Sequence, residues 1–407
     1  MALVVRTGAI VSCDTSASQH GATFEALGTV RNAWLLVREG RIAALGARAE
    51  VEDHIRLGEE VERLDFRDCV VVPGMVDAHA HPLFAGNREP DFEARLRGEP
   101  PPLGMQYTVD KTRAALQTPD HFWDDTVAPR LRAILAHGTT TLEAKTGYAL
   151  RAAGELELLR LIASHADETG LPRLIATFLG AHAVPPEFPD ERAYVDYLIA
   201  ECLPSARAAG AVYADAFCEP GFFSVAETER YLRAAREAGL RLRVHCDEMV
   251  WGGGAAMAVA VGVDAIDHAN NLRDEDVRAI AAAHIVTVAC PSTIAYLGLE
   301  RRAPVRALLE LGADVALASD FNPGTSPCLN LQTVAYFGRS IFGLSAAEAL
   351  YGVTIAAARS LRVAAGRLRS GDWADFVALR IADPEEFGWQ FGGNLAAAVF
   401  RRGARAT

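Results

Sequence analysis

The stretch "VVVPGMVDAHAHP" at residues 70–82 decides the fold. Its apolar run reads as a buried strand that ends in two histidines one residue apart. Side chains alternate along a strand, so His79 and His81 point the same way, just past the last apolar residue. There the strand opens into a loop. The pair is either half of a metal site or two unrelated histidines, one packed and one solvated. The rest of the chain decides between these.

Seven further short apolar stretches follow, at 138–148, 173–184, 211–221, 240–249, 263–271, 284–292 and 314–324. The segments between them, such as "VAETERYLRAAREAGL" and "RAPVRALLELGA", carry helical apolar spacing and end in glycine. Eight strand–helix units predict an α/β fold of the (β/α)8 TIM-barrel type; a doubly wound open sheet is the alternative and rarely needs eight regular repeats. Nearly every strand finishes in a polar residue: His79 and His81, Glu143 and Lys145, His182, Glu219, His245 with Asp247 and Glu248, His268, and Asp320. A closed barrel brings these ends around one mouth, the face where barrel enzymes keep their active sites. Three imidazoles and a carboxylate, with one position left for water, suit Zn2+ or Fe2+.

The first seventy residues differ, with short strands punctuated by glycines at 8, 40 and 46. "GRLRSGDWADFVALR" and "NLAAAVFRRGA" near the other end are similar. Neither piece has enough strands for a stable unit, so the termini are expected to combine into one small β-sandwich. The expected division is 1–69 (sandwich), 70–362 (barrel) and 363–407 (sandwich).

Half of the 407 residues are hydrophobic and 23% are charged, the balance of a soluble globular protein. A net charge of −12 argues against nucleic acid or an anionic membrane surface as partner. A small anionic substrate stays open, because a local arginine outweighs a distant field. Seven scattered cysteines without a C-x-x-C pair suit a reducing cytoplasm, and Met1–Ile10 carries no signal-peptide pattern. Apolar runs such as Ala279–Ala289 are broken well short of a membrane span.

"PGMVDAHAHPLFAGNRE", "GTTTLEAKTGYAL", "FLGAHAVPPEF", "VHCDE", "DH" and "ASDFNPGTSP" occur in the order and at the spacing of one known family. With "G-x-L-x-x-G-x-x-A-D" from Gly366 to Asp375, nearly the whole chain resembles the imidazolonepropionases of the amidohydrolase superfamily. The resemblance implies a metal-dependent hydrolase barrel with a sandwich built from both termini, usually as a homodimer. It implies hydrolysis of the ring C–N bond of 4-imidazolone-5-propanoate to N-formimidoyl-L-glutamate in histidine degradation. His79, His81, His245 and Asp320 are the implied metal ligands. Arg88, Tyr148, His182, Glu248, Asn322, Gly324 and Thr325 are the implied substrate contacts.

In the expected chemistry Asp320 takes a proton from water, His268 stabilises the oxyanion, and Glu248 relays a proton to the leaving nitrogen. "FCEPG" on the fourth strand offers no lysine for carbamylation, which favours one metal over two. By its residues alone, Arg88 reads first as a surface ion pair with Glu89 or Asp91. Lys145 either pairs with carboxylates near Glu143 or reaches the substrate. Cys246 and Cys290 read as core, "ERR" at 300–302 as solvated surface, and "WGGGAA" at 251–256 as close packing rather than a phosphate cradle.

The stretch "RGEPPPLGMQYTVDKTR" at 97–113 departs from the family, which carries a tyrosine-containing stretch and a glycine triplet there. This segment is expected to close over the substrate, so the departure bears on substrate identity rather than reaction class. A sister amidohydrolase acting on another cyclic amide, by ring opening or deamination, is the alternative. A third reading is a catalytically inactive scaffold.

Overall fold

The computed structural model describes residues 2–407. Eight parallel strands follow one another around a barrel: β1 (Met75–Asp77), β2 (Thr139–Lys145), β3 (Arg173–Ala181), β4 (Tyr213–Cys218), β5 (Arg241–Cys246), β6 (Ala265–His268), β7 (Val286–Ala289) and β8 (Val315–Leu317). Each falls inside a stretch read as a strand from the sequence. β1 and β8 meet just past their ends, where the His81 amide donates to Phe321 O at 2.8 Å and the Asp320 amide to His79 O at 2.9 Å. The closure therefore runs through the residues that carry the chemistry.

Connecting helices at the surface bury one stripe, whereas Ala346–Tyr351 is buried all round. In Val225–Glu237, Thr228, Tyr231, Leu232 and Ala235 are buried at i, i+3, i+4 and i+7, the spacing of one helical face. Ser224 accepts the Glu227 amide as its N-cap, and Gly239 ends the segment at φ +83°, a conformation that favours glycine. Burying a side chain such as Leu232 contributes about 1.5–3 kcal/mol.

The termini form a separate mixed sheet of eight strands, and its main path contains Ala2–Val11, Trp34–Arg38, Arg41–Gly46, Val61–Pro73, Phe376–Leu379, Ala396–Arg401 and Ala404–Arg405. It curls around its own apolar core, in which Val5, Leu35, Val71, Phe376 and Phe400 are buried together. The Phe376 and Phe400 rings stack at 4.3 Å between centroids. Alternate residues, Val70, Val72, Val377 and Val399, belong to the barrel's core. This alternation is what a sheet with two buried faces requires.

One detail departs from the sequence reading. Val70–Pro73, the front half of the run taken as the first barrel strand, belongs to the terminal sheet, pairing with Ala9–Ile10 and Phe376–Leu379. The chain changes sheets at Gly74, where an added Cβ would stand 2.8 Å from the Thr140 Cβ. Two short strands in series read as one long strand because both are buried.

Candidate active site

His79 and His81 leave β1 on one face, as their spacing requires, and their Nε2 atoms stand 3.2 Å apart. Asp320, just past β8, brings Oδ1 to 3.4 Å from each of those nitrogens. His245 on β5 completes the group, with one ligand atom from each of His79, His81 and His245 inside a sphere of contacts under 4.8 Å. All four residues are buried, and His245 Nε2 has no hydrogen-bond partner among the described residues. A buried unpartnered nitrogen costs free energy unless something occupies it. Three imidazoles and a carboxylate aimed at one point fit a divalent metal ion. Asp320 takes φ +49° and His268 φ +67°, so the backbone is strained at both site residues.

The other face of the histidines meets carboxylates. Asp267 Oδ2 lies 2.9 Å from His79 Nδ1, and Asp215 Oδ2 lies 3.0 Å from His245 Nδ1. Neither ring N–H is fully in line with its carboxylate, but both approaches favour the proton on Nδ1 and free Nε2 for a metal. Beneath them lies a buried ionic layer. Lys145 Nζ donates to Asp215 Oδ2 at 2.6 Å, Glu143 Oε1 at 3.0 Å and Asp267 Oδ2 at 3.1 Å. Arg243, which shares a strand face with His245, donates to Asp267 Oδ1 at 2.7 Å and to Ala78 O at 2.9 Å. Burial alone would lower the Lys145 value, but Asp215, Glu143 and Asp267 hold it above the ordinary lysine range. Lys145 thus pairs with carboxylates and does not reach the cavity.

Above the histidines opens a cavity of about 350 Å3. Arg88, Tyr148, His182, Glu248, Asn322 and Thr325 line it together with His81, His245, His268 and Asp320. Pro101, Gly104, Met105, Phe217, Phe222 and Leu297 give it apolar walls. Pro101, Gly104 and Met105 come from the 97–113 segment, which thus forms part of the cavity wall.

Two expected contacts behave differently. Gly324 does not line the cavity; its amide donates to Asn322 Oδ1 at 2.8 Å. A Cβ at Gly324 would stand 2.8 Å from the Arg88 Cζ, so the glycine makes room for the guanidinium. Asn322 spends its side chain on the same turn, donating to Asp320 O and Thr325 Oγ1, both at 2.7 Å. Arg88 does pair with Asp91, at 2.7 Å, but this pair is largely buried beside the cavity rather than on the surface.

Glu248 Oε1 lies 3.6 Å from His268 Nδ1. Burial first, then the charge of Asp320, pushes the Glu248 carboxyl up to about 8, while burial pulls the His268 imidazole down to about 4. Burial and then His81 bring His182 down to about 3; its Nδ1 is 3.0 Å from Gly147 O, which leaves Nε2 for a ligand. Glu219 holds no ligand position. It accepts the amides of Glu248, Met249 and Val250 at 2.8–3.1 Å and so shapes the loop that carries Glu248. Asp247 accepts the amides of Gly252, Gly253 and Ala255 at the start of the next helix.

Sequence reasoning missed Asp215, Asp267, Arg243 and Thr293. Thr293 donates to Asp320 Oδ2 at 2.7 Å and so leaves Oδ1 turned toward the histidines. Strand parity was the signal for Arg243, which lies two residues before His245; Asp215 and Asp267 carried none of that kind. Thr293, on a helix turn, carried no such signal.

The amidohydrolase family profile matches residues 70–401. The imidazolonepropionase of Ralstonia nicotianae is 39% identical over 399 residues, covering 95% of each chain. That of Rubrobacter xylanophilus is 39% identical over 403 residues, covering 97% of this chain and 96% of its own. Among solved structures, E. coli guanine deaminase superposes with a TM-score of 0.73 at 16% identity, covering 100% of this chain and 98% of its own. A Xanthomonas campestris adenosine deaminase with bound zinc gives 0.70 at 18% identity, over 99% of this chain and 92% of its own. These two likenesses establish the barrel architecture. The chain belongs to the imidazolonepropionase family of the amidohydrolases.

Proposed function

We propose that the chain hydrolyses the ring C–N bond of 4-imidazolone-5-propanoate to N-formimidoyl-L-glutamate, a step of histidine degradation. The observation that carries this reading is the set of metal-ligating side chains at the floor of a cavity that also holds Arg88. Relatives named imidazolonepropionase, 39% identical over nearly the whole chain, support the substrate. His79, His81, His245 and Asp320 would hold one divalent ion, Zn2+ or Fe2+. Such an ion, when bound, polarises a carbonyl and lowers the pKa of a water to about 7.

The residues then divide the work. Water adds to the ring carbonyl carbon, the bond from that carbon to the ring nitrogen breaks, and the carbon becomes the new carboxylate of the product. Asp320 takes the proton of the attacking water on a carboxylate oxygen. The His268 imidazole, kept neutral by burial, faces the developing oxyanion. Glu248, which holds its proton at neutral pH, passes it to the departing nitrogen. Arg88 takes the propionate. Tyr148, His182 and Thr325 bound the ring, and the turn built by Asn322 and Gly324 seats Arg88 and Thr325.

The seven free cysteines support a cytoplasmic location. The exposed Trp389, and the exposed Phe391 against Tyr336 and Phe337, support a second copy of the chain as partner. No helix among the described residues is long and apolar enough to cross a membrane.

The test is turnover of imidazolone propanoate, generated in place from urocanate by urocanase, with and without a chelator. Chelator-sensitive loss of the imidazolone absorbance with formation of formimidoylglutamate is expected. A protein that carries one metal per chain yet leaves the imidazolone untouched would move the reading to a sister substrate.

A further inference from the structure

We infer that Asp91 is a positioning residue for the substrate carboxylate, holding Arg88 and the 97–103 segment in one register over the cavity. The inference rests on the reading that Arg88 takes the propionate.

Asp91 is 3% exposed and makes three bonds with its two oxygens. Oδ2 accepts Arg88 Nε at 2.7 Å and the Gly104 amide at 3.1 Å, while Oδ1 accepts the Leu103 amide at 2.8 Å. Both ends of this clasp face the same space, because Arg88 lines the cavity with Pro101, Gly104 and Met105. Pairing at Nε occupies one edge of the guanidinium and leaves the two terminal nitrogens as a fork for an incoming carboxylate. On the opposite side Gly324 comes so near that a Cβ there would press on Arg88 Cζ at 2.8 Å. The guanidinium is thus confined between a carboxylate and a glycine in a residue that lines the cavity. The Leu103 and Gly104 amides begin the helix Gly104–Ala115, so the same carboxylate fixes where that helix starts and where Met105 lies.

The experiment compares D91N with R88M and the wild type, using the imidazolone propanoate and its neutral propanamide analogue. D91N keeps an oxygen for the Leu103 amide but loses the charge and the second oxygen that orient Arg88. Its KM for the propanoate is expected to rise about ten- to hundredfold, the worth of a charged hydrogen bond. Its kcat, metal content and KM for the propanamide are expected to stay within about threefold of wild type, well under that change. An unchanged propanoate KM, or equal losses on both substrates, overturns the inference. If R88M itself leaves the propanoate KM unchanged, the reading of Arg88 fails. If R88M raises it and D91N does not, only the role of Asp91 fails. Where D91N does not accumulate, D91S carries the same comparison, since its hydroxyl still meets an amide while the charge is gone.

Discussion

The floor and the walls of the cavity are built by different means. The floor consists of strand residues, with His79, His81 and His245 resting on an ionic layer of Lys145, Arg243, Glu143, Asp215 and Asp267 that has no solvent exposure. The walls come from loops and helix starts, with Pro101, Met105, Phe222 and Met249 in apolar contact and several of them part-exposed. On the floor the like charges sit close together, so each group's position depends on its neighbours. On the walls each side chain makes mostly local contacts. The floor is therefore where the shared chemistry of a hydrolase resides, and the walls are where one ring substrate is told from another.

The largest break in this comparison is D320N. On the proposed reading it removes an anionic metal ligand and the proton acceptor together, and kcat should fall by at least about 10^2–10^4-fold. Steady-state kinetics at saturating metal check this, and a D320N protein within tenfold of wild type would remove Asp320 from the chemistry.

K145M comes next and probes the floor alone. It leaves three buried carboxylates facing Arg243 without the ammonium, and breaking a buried pair this way costs about 3–5 kcal/mol. Urea unfolding should show the loss. A wall substitution such as M105L, hydrophobic and of similar volume, should cost less than about 1.5 kcal/mol. Equal costs would erase the contrast between floor and walls.

The smallest effect is a pH limb. In the proposed mechanism Glu248 donates a proton, and burial and the Asp320 charge push its carboxyl up to about 8, so kcat should fall as pH rises through that value. A bound dication draws that value down, which places the limb at or below about 8. E248Q, which cannot release a proton, should be slower and lack this limb. A limb of unchanged position in E248Q would assign it to another group.

The sequence displayed the barrel more fully than the floor. Eight strands were legible because each joins an apolar run to a polar end, and His79 and His81 because strand parity puts them on one face. The break at Gly74 was not legible, since Val70–Pro73 and Met75–Asp77 are both buried and nothing in composition separates two sheets. The ionic layer was hidden for a different reason. Lys145, Asp215, Arg243 and Asp267 sit on four strands, and only closure of the barrel brings them within about 3 Å of one another's charges. The stretch at 240–249 read as a strand without a role for its arginines, yet Arg243 is fully buried in the ionic layer. Arg88 does pair with Asp91, but in a largely buried position beside the cavity that it lines, which residue type alone did not reveal.

Metal titration of chelator-stripped protein tests the central claim most directly. Turnover of imidazolone propanoate should be absent without metal, rise in proportion to added Zn2+ or Fe2+, and level off at one ion per chain. Turnover that persists after stripping, or a plateau at two ions, would contradict a centre built from His79, His81, His245 and Asp320.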